Sequence, residues 1–413
     1  MRLTATAQRL MEAFDEFEII DAHEHLPPEK DRTSHKVDAL TLFSHYTRTD
    51  LITSGMTDKE YRFCTDSSAP LDKRWRTFKP FLAHIRYGSY ARPAFIAAQE
   101  IYGFDDINDK TYRPLSEAMQ AQNKPGIYRN LLRKRCRIKV ALTQCGRTAL
   151  GTDLLVPVMP AGAYTNVSRW ENVQARAKEL GLKAADLAEP EDYVELMRSG
   201  IRKWKAEGAV GLKMTTTPIT CCRRAEVSKA WKALRGGKVE GESASHLRDY
   251  LLHHLLCMAA EEQLTVAVHT GMWGDFRTLD PKFMISVAMQ HPETRFDLYH
   301  MGMPWVREMG VIAKNFANVW ANLAWSHIIS PTMTRAALDE WIDMVPVNKL
   351  IAFGGDYGRP VEKVYGHLKM AKEDIALVLG RRVDDGLMTY GRAVKVARQW
   401  FFDNPKACYR LNV

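Results

Sequence analysis

"FEIIDAHEHLPP", residues 17–28, climbs through Ile19 and Ile20 into Asp21, His23, Glu24 and His25, then stops at two prolines. In a β-strand, alternate side chains share a face. That reading puts Asp21, His23 and His25 on one side, with Ala22 and Glu24 on the other. Two imidazoles side by side on one strand face can chelate a divalent metal. A polar strand end with two solvated histidines is the plainer alternative, and the rest of the chain has to arbitrate.

From residue 137 onward, brief apolar runs alternate with helical stretches. The runs are "RIKVALTQC" (137–145), "DLLVPVMP" (153–160), "AVGLKMTT" (209–216), "LTVAVHTG" (264–271), "RFDLYHMG" (295–302), "NVWANLAWS" (318–326) and "KLIAFGGDYG" (349–358). Each meets polar or glycine residues at its C-terminal end, as buried parallel strands do. Between them, "PEDYVELMRSGIRKWKAEG" (190–208) opens on Pro and acids and closes on Gly, and "ASHLRDYLLHHLLCMAAEEQ" (244–263) has leucines at helical intervals. Residues 17–28 supply an eighth strand. Eight strands alternating with helices predict an α/β fold, a (β/α)8 TIM barrel. Residues 27–130 break the rhythm, with helical patterns such as "KVDALTLFSHY" (36–46) and "RPAFIAAQEIYG" (92–103) and no strand pattern. They are expected to form a large helical insertion between strands 1 and 2, within one domain spanning 1–413. The aromatic and basic "DKRWRTFKPFLAHIRYG" (72–88) fits a cap over the barrel mouth and, equally, a simple packed subdomain.

Composition narrows the function classes. With 46% hydrophobic residues the 413-residue chain can bury a core, so disorder is excluded. The first 18 residues read as an amphipathic helix rather than a secretory leader, and no run approaches the roughly 18 apolar residues of a membrane span. A cytoplasmic protein without membrane partners is the expectation. Seven scattered cysteines, with one adjacent pair at Cys221 and Cys222, match no zinc-ribbon or redox spacing, so reduced thiols are expected. The net charge of +9 is dispersed. Its densest run, "RNLLRKRCRIK" (129–139), leads into a strand, and no nucleic-acid-binding signature accompanies it. Attraction of an anionic small-molecule substrate is the milder use of that charge.

In such barrels the chemistry sits at the C-terminal ends of the strands. Strand 1 ends in His23 and His25, strand 4 carries Lys213, strand 5 ends in His269, strand 6 in His300 and strand 8 in Asp356. His23, His25, His269 and Asp356 would offer three nitrogens and a carboxylate to one ion, leaving a position open for water or substrate. Water on such an ion loses its proton near pH 7, and Asp356 can accept that proton and return it to a leaving group. His300 is open between a further ligand, a general acid and a donor that polarises a carbonyl. Lys213 could bind a substrate carboxylate, bridge two metals if carboxylated, or pair with an acid. Asp21 could orient a ligand from behind. Arg359 could grip a substrate anion, and Trp273 and Trp325, just past strand ends, could line the pocket.

Taken in order, "IIDAHEHL" (19–26), "VAVHTG" (266–271), "LYHMGMP" (298–304) and "IAFGGDYGRP" (351–360) resemble the amidohydrolase superfamily. The branch is the amidohydrolase-related group that includes metal-dependent decarboxylases, and "ARQWFFDNPKACYRL" (397–411) is similar to its closing helix. The helical insertion and "YGFDDINDKTYRPLSEAM" (102–119) resemble uronate isomerases of the same superfamily. The resemblance implies His23, His25, His269 and Asp356 as metal ligands, with His300 contacting substrate or a second metal. One divalent ion is expected, zinc first, with manganese or iron as alternatives. The expected activity is hydrolysis of a small anionic substrate. Non-oxidative decarboxylation and uronate-type isomerisation use the same metal, and a non-catalytic ligand-binding barrel is the rival of another class. Self-association into a homo-oligomer is left open.

Overall fold

Short runs of Val, Ile, Leu and Ala can bury both faces of a strand only if helices cover the sheet on one side and a closed interior on the other. The computed structural model, which describes residues 3–220 and 222–413, has this arrangement. Cys221 lies outside the described residues. The strands are β1 (Ile19–Glu24), β2 (Ile138–Thr143), β3 (Leu155–Pro160), β4 (Gly211–Thr215), β5 (Thr265–His269), β6 (Phe296–Leu298), β7 (Val319–Asn322) and β8 (Leu350–Ile351). Among the described residues they form one eight-stranded sheet in sequential order, with every neighbouring pair parallel. The seam between the first and last strands is closed by main-chain bonds. Ala22 N donates to Phe353 O at 3.0 Å, Asp356 N to His23 O at 2.8 Å and His25 N to Tyr357 O at 2.9 Å. The fold is a TIM barrel. Its one departure from strict alternation lies between β2 and β3, which a loop joins without a helix among the described residues.

The even alternation expected along β1 is broken. Asp21 pairs with Ala141 and Glu24 with Thr143, so β1 advances three residues where β2 advances two. A bulge of this kind re-aims side chains. Ala22 joins Ile20 in the barrel interior, and Asp21 turns out to meet Glu24 and the main chain of β8's loop. The expectation that Asp21 shares the face of the histidine pair is therefore corrected. Its Oδ1 accepts from His23 N at 3.2 Å and Gly355 N at 3.0 Å. It supports the backbone, not an imidazole.

The chain between β1 and β2 folds into helices, among them Thr47–Thr53, Leu71–Ile85, Arg92–Tyr102 and Tyr112–Gln122. They have an apolar core of their own that includes Leu42, Phe43, Trp75, Phe78, Ala98 and Leu115. This layer docks on the long helix Glu362–Asp384 that follows β8. A Cβ at Gly366 would come within 2.5 Å of Pro93 O, so glycine is what permits the close approach. Arg32 pairs with Glu362 at 2.6 Å, both buried, and Lys363 Nζ donates to Thr47 Oγ1 at 2.9 Å.

The barrel floor is sealed from below by Cys408, Tyr409 and Leu411, which pack with Ile20, Ala22 and Tyr299. Tyr409 donates to Asp297 Oδ2 at 2.7 Å and meets Tyr299 Oη at 2.9 Å. No helix among the described residues is long and apolar enough to cross a membrane. Cys64, Cys136, Cys145, Cys257 and Cys408 form no disulfide.

Candidate metal centre

The tips of β1 and β8 bring His23, His25 and Asp356 together, with one donor atom from each lying within 4.8 Å of the others. Asp356 Oδ1 stands 3.2 Å from His23 Nε2 and 3.3 Å from His25 Nε2. Two glycines make room for this. A Cβ on Gly354 would sit 2.7 Å from Ala324 Cβ and 2.9 Å from His23 Cβ, and one on Gly355 would fall 1.9 Å from Glu24 Oε1. Glu24 is fully buried and accepts from Tyr357 N at 2.7 Å. Burial raises both carboxyls of this outer pair: Asp21 to about 6, against the hydrogen bond it shares with Glu24, and Glu24 well above its usual range, with the charge of Asp21 adding to the effect.

His269 is tied to this group through His300 rather than standing inside it. The four-ligand set expected at one point is thus three close side chains and one linked neighbour. His300 Nδ1 lies 2.9 Å from Ala324 O, and a carbonyl only accepts, so Nδ1 carries the ring hydrogen. His300 Nε2 is then an acceptor, and His269 Nδ1, 3.0 Å away, donates to it. That leaves His269 Nε2 as a bare lone pair, buried without a hydrogen-bond partner among the described residues. His300 is thus held by Ala324 O at Nδ1 and faces His269 with Nε2. His300 Nε2 also lies 4.0 Å from Asp356 Oδ2.

The electrostatics suit a cation. Burial depresses His23 to about 3 and His269 to about 4, and holds His300 well below its ordinary value, so these rings are neutral donors of lone pairs. Burial opposes ionisation of Asp356, yet the adjoining His23 and His25 hold its carboxyl well below the usual range. His25 Nδ1 donates to Gln144 O at 3.2 Å, and its Nε2 faces Asp356 Oδ1. Two imidazoles converging on one carboxylate oxygen, with the unpartnered Nε2 of His269 near by, form a donor set that a divalent ion would satisfy.

The remaining residues singled out in the sequence surround this group unevenly. Lys213 Nζ lies 4.5 Å over the Tyr299 ring, and burial lowers it to about 8 against the pull of Asp356 and Asp297. No hydrogen bond or ion pair ties that amine among the described residues. Trp325 is buried and Trp273 is 43% exposed, and both set ring edges on Tyr46, at 5.0 and 4.4 Å. Arg359 is exposed and meets His35 Nε2 at 3.2 Å, so it stands at the rim against the cap.

Three contributors were not foreseen. His45 Nε2 donates to Asp356 O at 2.8 Å, and Tyr46 Oη donates to Asp356 Oδ1 at 3.3 Å, so the insertion itself reaches the site. Nothing in the spacing of "FSHYTRT" signals this. Gln144, at the tip of β2, touches both histidines of β1 and could have been found by the rule that located the others, a polar residue closing a strand.

A model of the family described as Amidohydrolase matches residues 174–411, more than half of the chain. The chain belongs to that family. This amidohydrolase is 26% identical over 178 residues to Protein fluG of Emericella nidulans, a match covering 40% of the chain and 20% of that protein. It therefore spans about a fifth of the length of the curated relative it matches. A uronate isomerase from Thermotoga maritima has the same fold, with a TM-score of 0.80 at 16% identity over 98% of each chain. A glucuronate isomerase from Caulobacter crescentus gives 0.81 at 16%, covering 99% of this amidohydrolase and 94% of that chain. Family and fold together place it among the enzymes of the amidohydrolase superfamily, whose members generally bind a divalent metal.

Proposed function

We propose that this amidohydrolase is a metal-dependent hydrolase of a small anionic substrate, with Asp356 carrying the proton. One observation supports this most: Nε2 of His23 and Nε2 of His25 converge on Asp356 Oδ1, at 3.2 and 3.3 Å. His23, His25 and Asp356, with His269 Nε2 as a further donor, would hold an ion whose Lewis acidity would polarise a substrate oxygen and acidify water. Zinc suits these nitrogen and oxygen donors best, and manganese or iron would be accepted by the same set.

The chain's own groups divide the remaining work. Asp356 Oδ1 is engaged by the two imidazoles and by Tyr46, so Oδ2 is the atom available to hold a proton and return it to the leaving group. Lys213 offers an unpaired amine to a substrate carboxylate. Trp273, Trp325 and Tyr46 wall the site with rings and limit water. Arg359 at the rim adds to the positive field that draws an anion in.

The test is elemental analysis of protein purified without added metal, followed by mass analysis of products from a panel of carboxylate-bearing amides and esters. About one ion per chain is expected, and two products whose masses sum to that of the substrate plus one water. Protein without stoichiometric metal, whose role survives His23→Ala with His269→Ala, would be a non-catalytic barrel. Carbon dioxide release would mark a decarboxylase.

Isomerisation is the second reading, and one observation favours it. The two isomerases match over nearly the whole chain, including the helices between β1 and β2 that bring His45 and Tyr46 to Asp356. An isomer of unchanged mass from a uronic acid would replace hydrolysis with this reaction.

A further inference from the structure

Gln144 sits between the two histidines of β1 and treats them differently. Its main chain is anchored, since Gln144 N donates to Glu24 O at 2.8 Å. Its carbonyl accepts from His25 Nδ1 at 3.2 Å, while its side-chain Nε2 lies 3.3 Å from His23 Nδ1. A carbonyl can only accept, so His25 keeps its hydrogen on Nδ1 in every state. A carboxamide can present either end. With nitrogen toward the ring it donates to His23 Nδ1, and the ring hydrogen sits on Nε2, where it bonds Asp356 Oδ1 at 3.2 Å. With the amide turned over, Oε1 faces the ring, the hydrogen resides on Nδ1, and Nε2 is left bare beside Asp356.

We propose that the Gln144 carboxamide selects the tautomer of His23, one amide orientation holding the ring against Asp356 and the other presenting Nε2 to a cation. The inference rests on the metal reading above. Gln144 is a positioning residue: it acts through His23 and needs no contact with substrate. The proton balance closes within the ring, because the hydrogen leaves Nε2 and one returns to Nδ1 with no net release. A side chain with both a donor and an acceptor end satisfies His23 in the metal-free and the loaded states alike, so neither state strands a buried polar atom. Glutamate could serve only the loaded state and leucine neither.

The experiment uses the full chain with 15N-labelled histidine, as wild type, Gln144→Glu and Gln144→Leu. Long-range 1H–15N correlation reads the His23 tautomer without metal and with one equivalent of zinc. Competition against a chromophoric chelator reads zinc affinity. In wild type, His23 should carry its hydrogen on Nε2 without metal and on Nδ1 with zinc. Gln144→Glu should show Nδ1–H in both states and bind zinc at least as tightly. Gln144→Leu should bind about 10- to 100-fold more weakly, the usual cost of losing a residue that orients a ligand. His25 should stay Nδ1–H throughout, because the variants keep the main-chain carbonyl. Affinity in Gln144→Leu within twofold of wild type overturns the assignment, as does Nε2–H on His23 in metal-free Gln144→Glu. Should the leucine variant fold poorly, the glutamate tautomer alone still refutes or supports the proposal. A wild-type chain that binds no zinc overturns the metal reading, and this inference with it.

Discussion

Asp356 has a φ of 59°, in the left-handed region that residues with a Cβ rarely adopt, and His45 (65°), His300 (66°) and Trp325 (61°) share it. Such a residue costs on the order of 1–3 kcal/mol and persists only where its surroundings over-determine it. Here they do: His300 is pinned at both nitrogens and Asp356 is held through its main chain and its carboxylate. Space is as tightly allotted as conformation. A methyl group at Gly355 must displace Glu24, whose carboxyl oxygen lies 1.9 Å from where it would stand. Gly355→Ala should therefore lower stability by about 1–3 kcal/mol, the usual range for overpacking, and weaken metal binding through the adjoining Asp356. A urea midpoint unchanged from wild type would show that Glu24 yields without cost. His23, His25 and Asp356 were legible in the sequence because a polar side chain that closes an apolar run is seldom there for packing. The restraint of His300 was not, because it depends on Ala324 O, a main-chain atom that no side-chain pattern reports.

Elements tell a similar story. The centres of all eight strands were legible from apolar runs, yet the bulge in β1 was not, and it turned Asp21 away from the histidines. Register follows from partners on β2, not from the residues of β1 alone. The cap's helices were legible too, while its reach into the site through His45 and Tyr46 depends on how it docks. That docking centres on the helix Glu362–Asp384, and on Lys363 in particular. The lysine is fully buried, bonded to Thr47 and to Tyr90 O at 3.3 Å, with the Tyr357 ring 5.1 Å away and Asp50 supplying an opposing charge. Burial pushes its ammonium down to about 7, against the partial help of Asp50. Unfolded, the amine keeps an ordinary value of about 10.4. Between those two values the unfolded chain binds a proton that the fold does not, so the penalty is full below pH 7 and fades as pH rises. Wild-type stability measured against Lys363→Met should climb from pH 7 to pH 10 in urea titrations. Parallel pH curves for the two proteins would reject the buried, neutral amine.

At the scale of the whole molecule, the donors that converge belong to strands at opposite ends of the sheet order. β1 and β8 meet only when the barrel closes, and an ion shared by His23, His25 and Asp356 would clasp that seam. Zinc at one hundred times its Kd should stabilise the fold by about 2.7 kcal/mol through linkage alone. Scanning calorimetry with zinc and then with excess chelator should show the transition rise and fall accordingly; a Tm indifferent to both would separate the cluster from metal binding. The eightfold plan was readable from hydrophobic rhythm, but the closing bonds and the sealed floor were not, because they pair residues hundreds of positions apart. That floor has a price of its own. A ribosome delivers every strand and every donor before it delivers Tyr409, so the nascent barrel waits with its base open. A stop codon gained shortly before that position would spare the whole catalytic inventory and still admit water to Asp297, producing a lesion of maturation and turnover rather than of chemistry.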